Sequence, residues 1–211
     1  IAESKSFVKW LAIGSVSGMI IGLVGTLFHL CSSSAEFFRS EHPWLIFLLP
    51  LSGAAIQFFY DAMRYSHDKG TNLVLLAVRD NRNMGPRQAA CIFIASVITH
   101  LFGGSSGREG ASLQIGAAIG SFAGRRLSFN EDDRRIMTMC CVAAMFAAVF
   151  GTPVTAAIFS MEVISVGIFY YSAIVPCVVS ALTASFVSSL FGISKLDLTV
   201  MVPEAEPVNY L

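Results

Sequence analysis

Apolar residues in this chain come in long blocks, separated by short charged links. The first block covers residues 6 to 31 and carries Gly14, Gly18, Gly22 and Gly25; the second runs from Trp44 to Tyr60, after a polar link around Arg39, Glu41, His42 and Pro43. Both have the length of a bilayer-crossing helix, about 20 residues. Glycines at four-residue spacing line one helix face and let another backbone approach it closely. The apolar piece that follows, Gly70-Thr71-Asn72-Leu73-Val74 to Arg79, is too short to cross. Led by glycine and polar residues, it reads as a broken or re-entrant helix of the kind that aims its N-terminus at a substrate near the membrane midplane. Beyond the basic link of 79 to 87, the run from Gln88 to Phe102 leads into Gly103-Gly104-Ser105-Ser106-Gly107-Arg108-Glu109-Gly110-Ala111-Ser112, and a helix from near Glu109 to Gly124. After a second charged link, 125 to 135, come Ile136 to Phe150, a segment opened by Pro153, and an apolar run from about Ile168 to Phe191. Pro153 ends one helix and starts the next, because proline suits a first turn and disrupts an interior.

Composition places this pattern in a membrane. The 211 residues are 55% hydrophobic and 13% charged, with a mean hydropathy of +0.67, far from a soluble domain. Lys+Arg and Asp+Glu balance at 14 each, so net charge offers no argument for a nucleic-acid partner. Charge placement is informative. With a cytoplasmic N-terminus and a short segment at Gly70 that returns to its own side, Lys5, Lys9, Arg64, Lys69, Arg79, Arg82, Arg87, Arg125, Arg126, Arg134 and Arg135 fall on the cytoplasmic links, while Arg39 and Lys195 fall outside. That asymmetry satisfies the positive-inside rule and leaves Arg108 as the basic residue within the bilayer. The chain then ends on the face opposite its start, as a unit of an inverted repeat must. Residues 1–192 form the expected membrane domain and 193–211 an extramembrane loop. The five cysteines, Cys31, Cys91, Cys140, Cys141 and Cys177, lie in or beside apolar segments without metal-ligand spacing and read as small core residues. No metal or cofactor is implied.

The glycine-rich stretch carries the chemistry. A helix that opens after glycines leaves several backbone N–H groups unpaired at the positive end of its dipole, which is an anion site. Into it the sequence places Glu109, a carboxylate that can occupy the position of an anion or leave it on protonation. An ionisable side chain inside a membrane is costly, and this makes it a functional candidate. The phosphate-loop alternative lacks its Lys-Ser/Thr ending, and neither an HExxH nor a GxSxG motif appears, so an enzyme is not the expected class.

Gly107-Arg108-Glu109-Gly110 resembles the GREGP signature of the CLC family of chloride channels and anion/proton antiporters, and Leu113-Gln114-Ile115-Gly116 resembles its continuation. Gly151-Thr152-Pro153 to Glu162 is similar to the family's later proline-initiated helix, and Gly70-Thr71-Asn72-Leu73-Val74 stands where the family has GSGIP. The resemblance spans the whole chain. It implies an all-α polytopic membrane protein, one half of a CLC-type inverted repeat with broken and re-entrant helices, in a homodimer with one pathway per subunit. Three departures narrow the subfamily: Thr71-Asn72 resembles the GNNLI variant of the fluoride/proton branch, Ala111 replaces the proline of GREGP, and Val163 stands where chloride/proton antiporters carry an internal glutamate that the fluoride branch and CLC channels both lack, with Glu162 one position earlier.

The implied function is fluoride export in exchange for protons across a prokaryotic plasma membrane. Glu109 gates and carries the proton; Gly70, Thr71, Asn72, Leu73, Gly107, Arg108, Gly110 and Ala111 bind the anion; Glu162 is a secondary proton-path candidate. A chloride-selective channel or antiporter is the alternative. Plainer readings stand beside these. Glu109 can be a structural partner of Arg108, Thr71 and Asn72 can be helix caps, Gly116 and Gly120 read as packing residues, and His29 and His100 read as satisfied histidines near the membrane edge. The family pathway is closed by a second inverted half, and nothing after Gly192 resembles it, so the chain by itself is not expected to transport.

Overall fold

The computed structural model describes residues 2–63, 70, 74, 84–163 and 170–193, with side chains from Phe7 onward. Within them lie seven α-helices and two 3-10 turns, and no strand. The helices are α1 (Ala2–Glu41), α2 (Leu49–Ala62), α3 (Pro86–Leu101), α4 (Arg108–Arg126), α5 (Glu131–Phe150), α6 (Pro153–Glu162) and α7 (Ile174–Leu190); the 3-10 turns are Pro43–Leu48 and Tyr171–Ala173. Among the described residues, three stretches are long and apolar enough to cross a membrane: Phe7–Glu41, Pro43–Ala62 and Tyr171–Leu190. The protein is all-α and polytopic, as the block pattern predicts. Expectations that fall on Thr71, Asn72, Leu73, 164–169 and most of the 193–211 loop lie outside the described residues.

The element boundaries depart from the apolar blocks in two places. Helix α1 continues through Ser32, Ser33 and Ser34 to Glu41, because a helix satisfies its own backbone and does not stop where hydrophobicity does. Helix α5 begins at Glu131, ahead of the expected Ile136. The Asn130 side chain accepts the Asp133 N–H at 2.7 Å, and Glu131, Asp132 and Asp133 fill a first turn where negative charge is favourable. The far end of α5 meets the prediction: Gly151 adopts the left-handed conformation (φ 68°, ψ 19°) that glycine accepts without strain, and Pro153 starts α6. Polar side chains within the helices turn back on their own carbonyls. Ser15 donates to Leu11 O, Thr99 to Ala95 O and Thr138 to Arg134 O, at 2.8–2.9 Å, as a low-dielectric surrounding demands.

Helix α5 lies at the centre. Met139 to Met145 are almost wholly inaccessible, and α5 packs against α1, α4, α6 and α7. The glycines seat the neighbouring helices. A Cβ at Gly18 would meet the Ser180 carbonyl at 2.5 Å, on α7; a Cβ at Gly120 would meet Thr138 Cα at 2.7 Å, on α5. Gly116 and Gly120 are therefore packing residues.

The valine of Gly120→Val has no room against the α5 backbone. It is expected to cost about 1–3 kcal/mol and to lower the thermal unfolding midpoint in detergent. Gly53→Ala, where nothing lies within 4 Å, is expected to hold or raise the midpoint.

Candidate functional site

The site is built where α4 starts. Gly107 precedes α4 in extended conformation (φ −68°, ψ 144°), and no side chain caps the helix. The first-turn amides, those of Glu109 and Gly110 among them, have no carbonyl one turn back; Ala111 is the first whose amide reaches an intrahelical acceptor, at Gly107. Gly103 (φ 80°) turns the chain out of α3, and the Gly104 N–H closes the turn on Thr99 O at 2.9 Å. The Glu109 carboxylate folds back over Gly107, where a methyl group would fall on Oε2.

Arg108 does not pair with Glu109. Its Nη2 donates to Glu36 Oε2 of α1 at 2.5 Å and its Nη1 to Ser33 Oγ at 3.4 Å, while His100 Nε2 lies 3.6 Å from Glu36 Oε1. The structural pairing considered for Glu109 is thereby taken up elsewhere, and among the described residues Glu109 has no ion-pair partner.

Glu109 borders two cavities of opposite character. A cleft of about 600 Å³ presents His29, Ser33, Glu36, His100, Ser106 and Arg108 on its polar side, with Leu30, Val149, Phe150, Phe191, Gly192 and Ile193 completing it. A smaller cavity of about 240 Å³ is lined by Phe146, Phe150, Thr152, Thr155, Ala156 and Phe159. The aromatic rings pack on one another, with centroids 4.6 Å apart for Phe146–Phe159 and 5.3 Å for Phe146–Phe150. One side chain thus borders both a cleft that carries charged and polar groups and a largely aromatic cavity.

Other sequence candidates are placed unevenly. Gly70 has a left-handed backbone (φ 58°), but Thr71, Asn72 and Leu73 lie outside the described residues. Glu162 is the last residue of α6, exposed, and borders neither cavity. His29 and His100 each spend Nδ1 on a backbone carbonyl, Val149 O at 3.1 Å and Ser96 O at 2.7 Å, in accord with the plainer reading, yet both also face the cleft. The sequence reading missed Glu36 and Ser33. Their signal was present: His29, Ser33 and Glu36 follow i, i+4, i+7 spacing and share one helix face, once α1 is carried past the apolar block.

Comparison with known proteins places this geometry in context. Residues 51–210 match the family described as voltage gated chloride channel. A chloride/fluoride channel protein of Pseudomonas syringae pv. tomato is 37% identical over 186 residues, covering 88% of this chain and 41% of that protein. The H(+)/Cl(-) exchange transporter ClcA of Citrobacter koseri is 26% identical over 205 residues, covering 91% and 42%. A crystal structure of a CLC-type fluoride/proton antiporter superposes with a TM-score of 0.84 at 32% identity, over 94% of this chain and 50% of that one. The chain therefore spans about two fifths of the length of these curated relatives and half that of the solved structure.

The Arg108–Glu36 pair is half-buried, with side-chain exposures of 20% and 44%, so its coupling is expected near the upper end of the surface range, about 1 kcal/mol. A double-mutant cycle of Glu36→Gln and Arg108→Gln on thermal stability measures it; a coupling indistinguishable from zero contradicts the contact.

Proposed function

The chain belongs to the voltage-gated chloride channel family, and from that premise we propose that it forms the gated half of a fluoride/proton antiporter. The carrying observation is the position of Glu109 between the polar cleft and the aromatic cavity. Ionised, its carboxylate occupies the anion position at the α4 N-terminus and blocks the path. Protonated, it leaves for the cavity of Phe146, Phe150 and Phe159, frees the first-turn amides for an anion, and carries a proton with it. Competition of carboxylate and anion for one place couples the two fluxes.

Fluoride is small and strongly hydrated, so its site must replace water with closely placed donors. The amides around Glu109 and Gly110, the Thr71 hydroxyl and the Asn72 amide are of that kind. The Thr71-Asn72 pattern and Val163 support the fluoride branch, as do a solved fluoride/proton antiporter and a chloride/fluoride channel protein among the similar proteins. Similarity to an H(+)/Cl(-) exchange transporter favours chloride as the second reading. In either case residues 1–192 are the membrane unit, the N-terminus is cytoplasmic, and a second inverted half and homodimerisation complete the pathways; Glu162, exposed at the end of α6, is at most a secondary station.

The full transporter that carries this chain, reconstituted in liposomes, is expected to move fluoride outward with protons inward. Glu109→Gln is expected to reduce proton movement by about 10²-fold or more, the scale of a lost acid/base group. Unchanged proton coupling in that variant overturns the gating role. Chloride that competes equally with fluoride selects the second reading.

A further inference from the structure

The polar wall of the cleft holds a second proton-binding assembly that gating by Glu109 does not require. Glu36 divides its carboxylate between two groups, with Oε2 accepting from Arg108 at 2.5 Å and Oε1 facing His100 Nε2 at 3.6 Å. The His100 side chain is 5% exposed and that of Glu36 44%, so on this face water meets the carboxylate before the imidazole. The Ser96 carbonyl 2.7 Å from His100 Nδ1 can only accept, which puts a hydrogen on Nδ1 and leaves Nε2 as the nitrogen that gains and loses a proton. When Nε2 is bare, two acceptors face each other across 3.6 Å, and a proton bound to Nε2 turns the contact into an ion pair with Glu36.

Around this pair, α1 contributes His29, Glu36 and, against Gly103, Arg39. Helix α4 contributes Arg108 and Glu109, and α2 contributes no residue to the cleft. Arg108 already balances Glu36, so a proton on His100 is the added charge, and Glu109 is the other carboxylate bordering the cleft.

Resting on the antiport reading above, we infer that His100, positioned by Glu36, is the proton-loading station of the cleft and supplies Glu109 through cleft water. In the transfer, the Nε2–H bond of the imidazolium breaks and its proton passes to a water molecule. That water gives up a proton to the Glu109 carboxylate, leaving neutral imidazole and a carboxylic acid. Nε2 is recharged from bulk water past the half-exposed Glu36. The station matters most when protons are scarce. In acid, bulk protons reach Glu109 directly through the open mouth of the cleft.

The test is the pH profile of proton-coupled transport by the full transporter in liposomes, with pH varied on the cleft side. His100→Gln is expected to move the midpoint by about one unit toward acid, the scale on which a neighbouring ionisable group acts, with the wild-type rate regained at low pH. Glu36→Gln moves the midpoint the same way, and the double variant moves it no further than His100→Gln alone. His42→Gln, at a partly buried histidine outside the cleft, leaves the profile in place. A profile unmoved in both cleft variants overturns the inference, as does a loss of equal size at every pH, which marks a purely structural role. If His100→Gln does not fold, Glu36→Gln at its half-exposed position decides alone. Glu109→Gln separates the two levels. Coupling that survives it removes the gating reading, whereas coupling abolished there with unmoved profiles in the cleft variants removes this inference only.

Discussion

Everything near Glu109 depends on how closely α4 lies against α5. At Gly116 a Cβ would meet Cys141 O at 2.8 Å and at Gly120 it would meet Thr138 Cα at 2.7 Å, so the two backbones touch with no side chain between them. Partners descend along α5 as α4 ascends, which makes the pair antiparallel. The start of α4 therefore emerges level with the end of α5. Glu109 meets Phe146 and Phe150 there, and the Gly151–Pro153 turn adds α6 with Thr155 and Phe159. A bulkier residue at either glycine would move the helix that carries Glu109.

The charge arrangement follows from a second long-range contact. Arg108 is adjacent to Glu109 in sequence, yet successive residues on a helix point about 100° apart, and Arg108 reaches across to α1 and Glu36. The cation is thus occupied without neutralising its neighbour. Among the described residues Glu109 keeps no ion-pair partner.

Much of this was legible in the residue pattern. The apolar blocks, the Pro153 break, the glycines as packing residues and the helix start at Glu109 all follow from local rules, since each depends on a few neighbouring residues and the helical period. Less legible were the ends of α1 and α5. There, Asn130 and the acidic first turn extend a helix into a charged link, and the serines after Cys31 remain helical because the backbone, not the side chain, sets the cost of stopping. The role of the phenylalanines was open for any single one; the fold gathers Phe146, Phe150 and Phe159 beside Glu109.

What the sequence by itself determined is a membrane-embedded helical protein with an acidic residue set at a glycine-led helix start, because hydropathy, glycine and charge act locally. Only the tertiary structure decided that Glu109 borders two unlike cavities, that Arg108 belongs to Glu36, and that His100 faces the same cleft from α3. The reason is distance along the chain: Glu36 and Arg108 are 72 residues apart, and no periodicity within one helix encodes a partner on another.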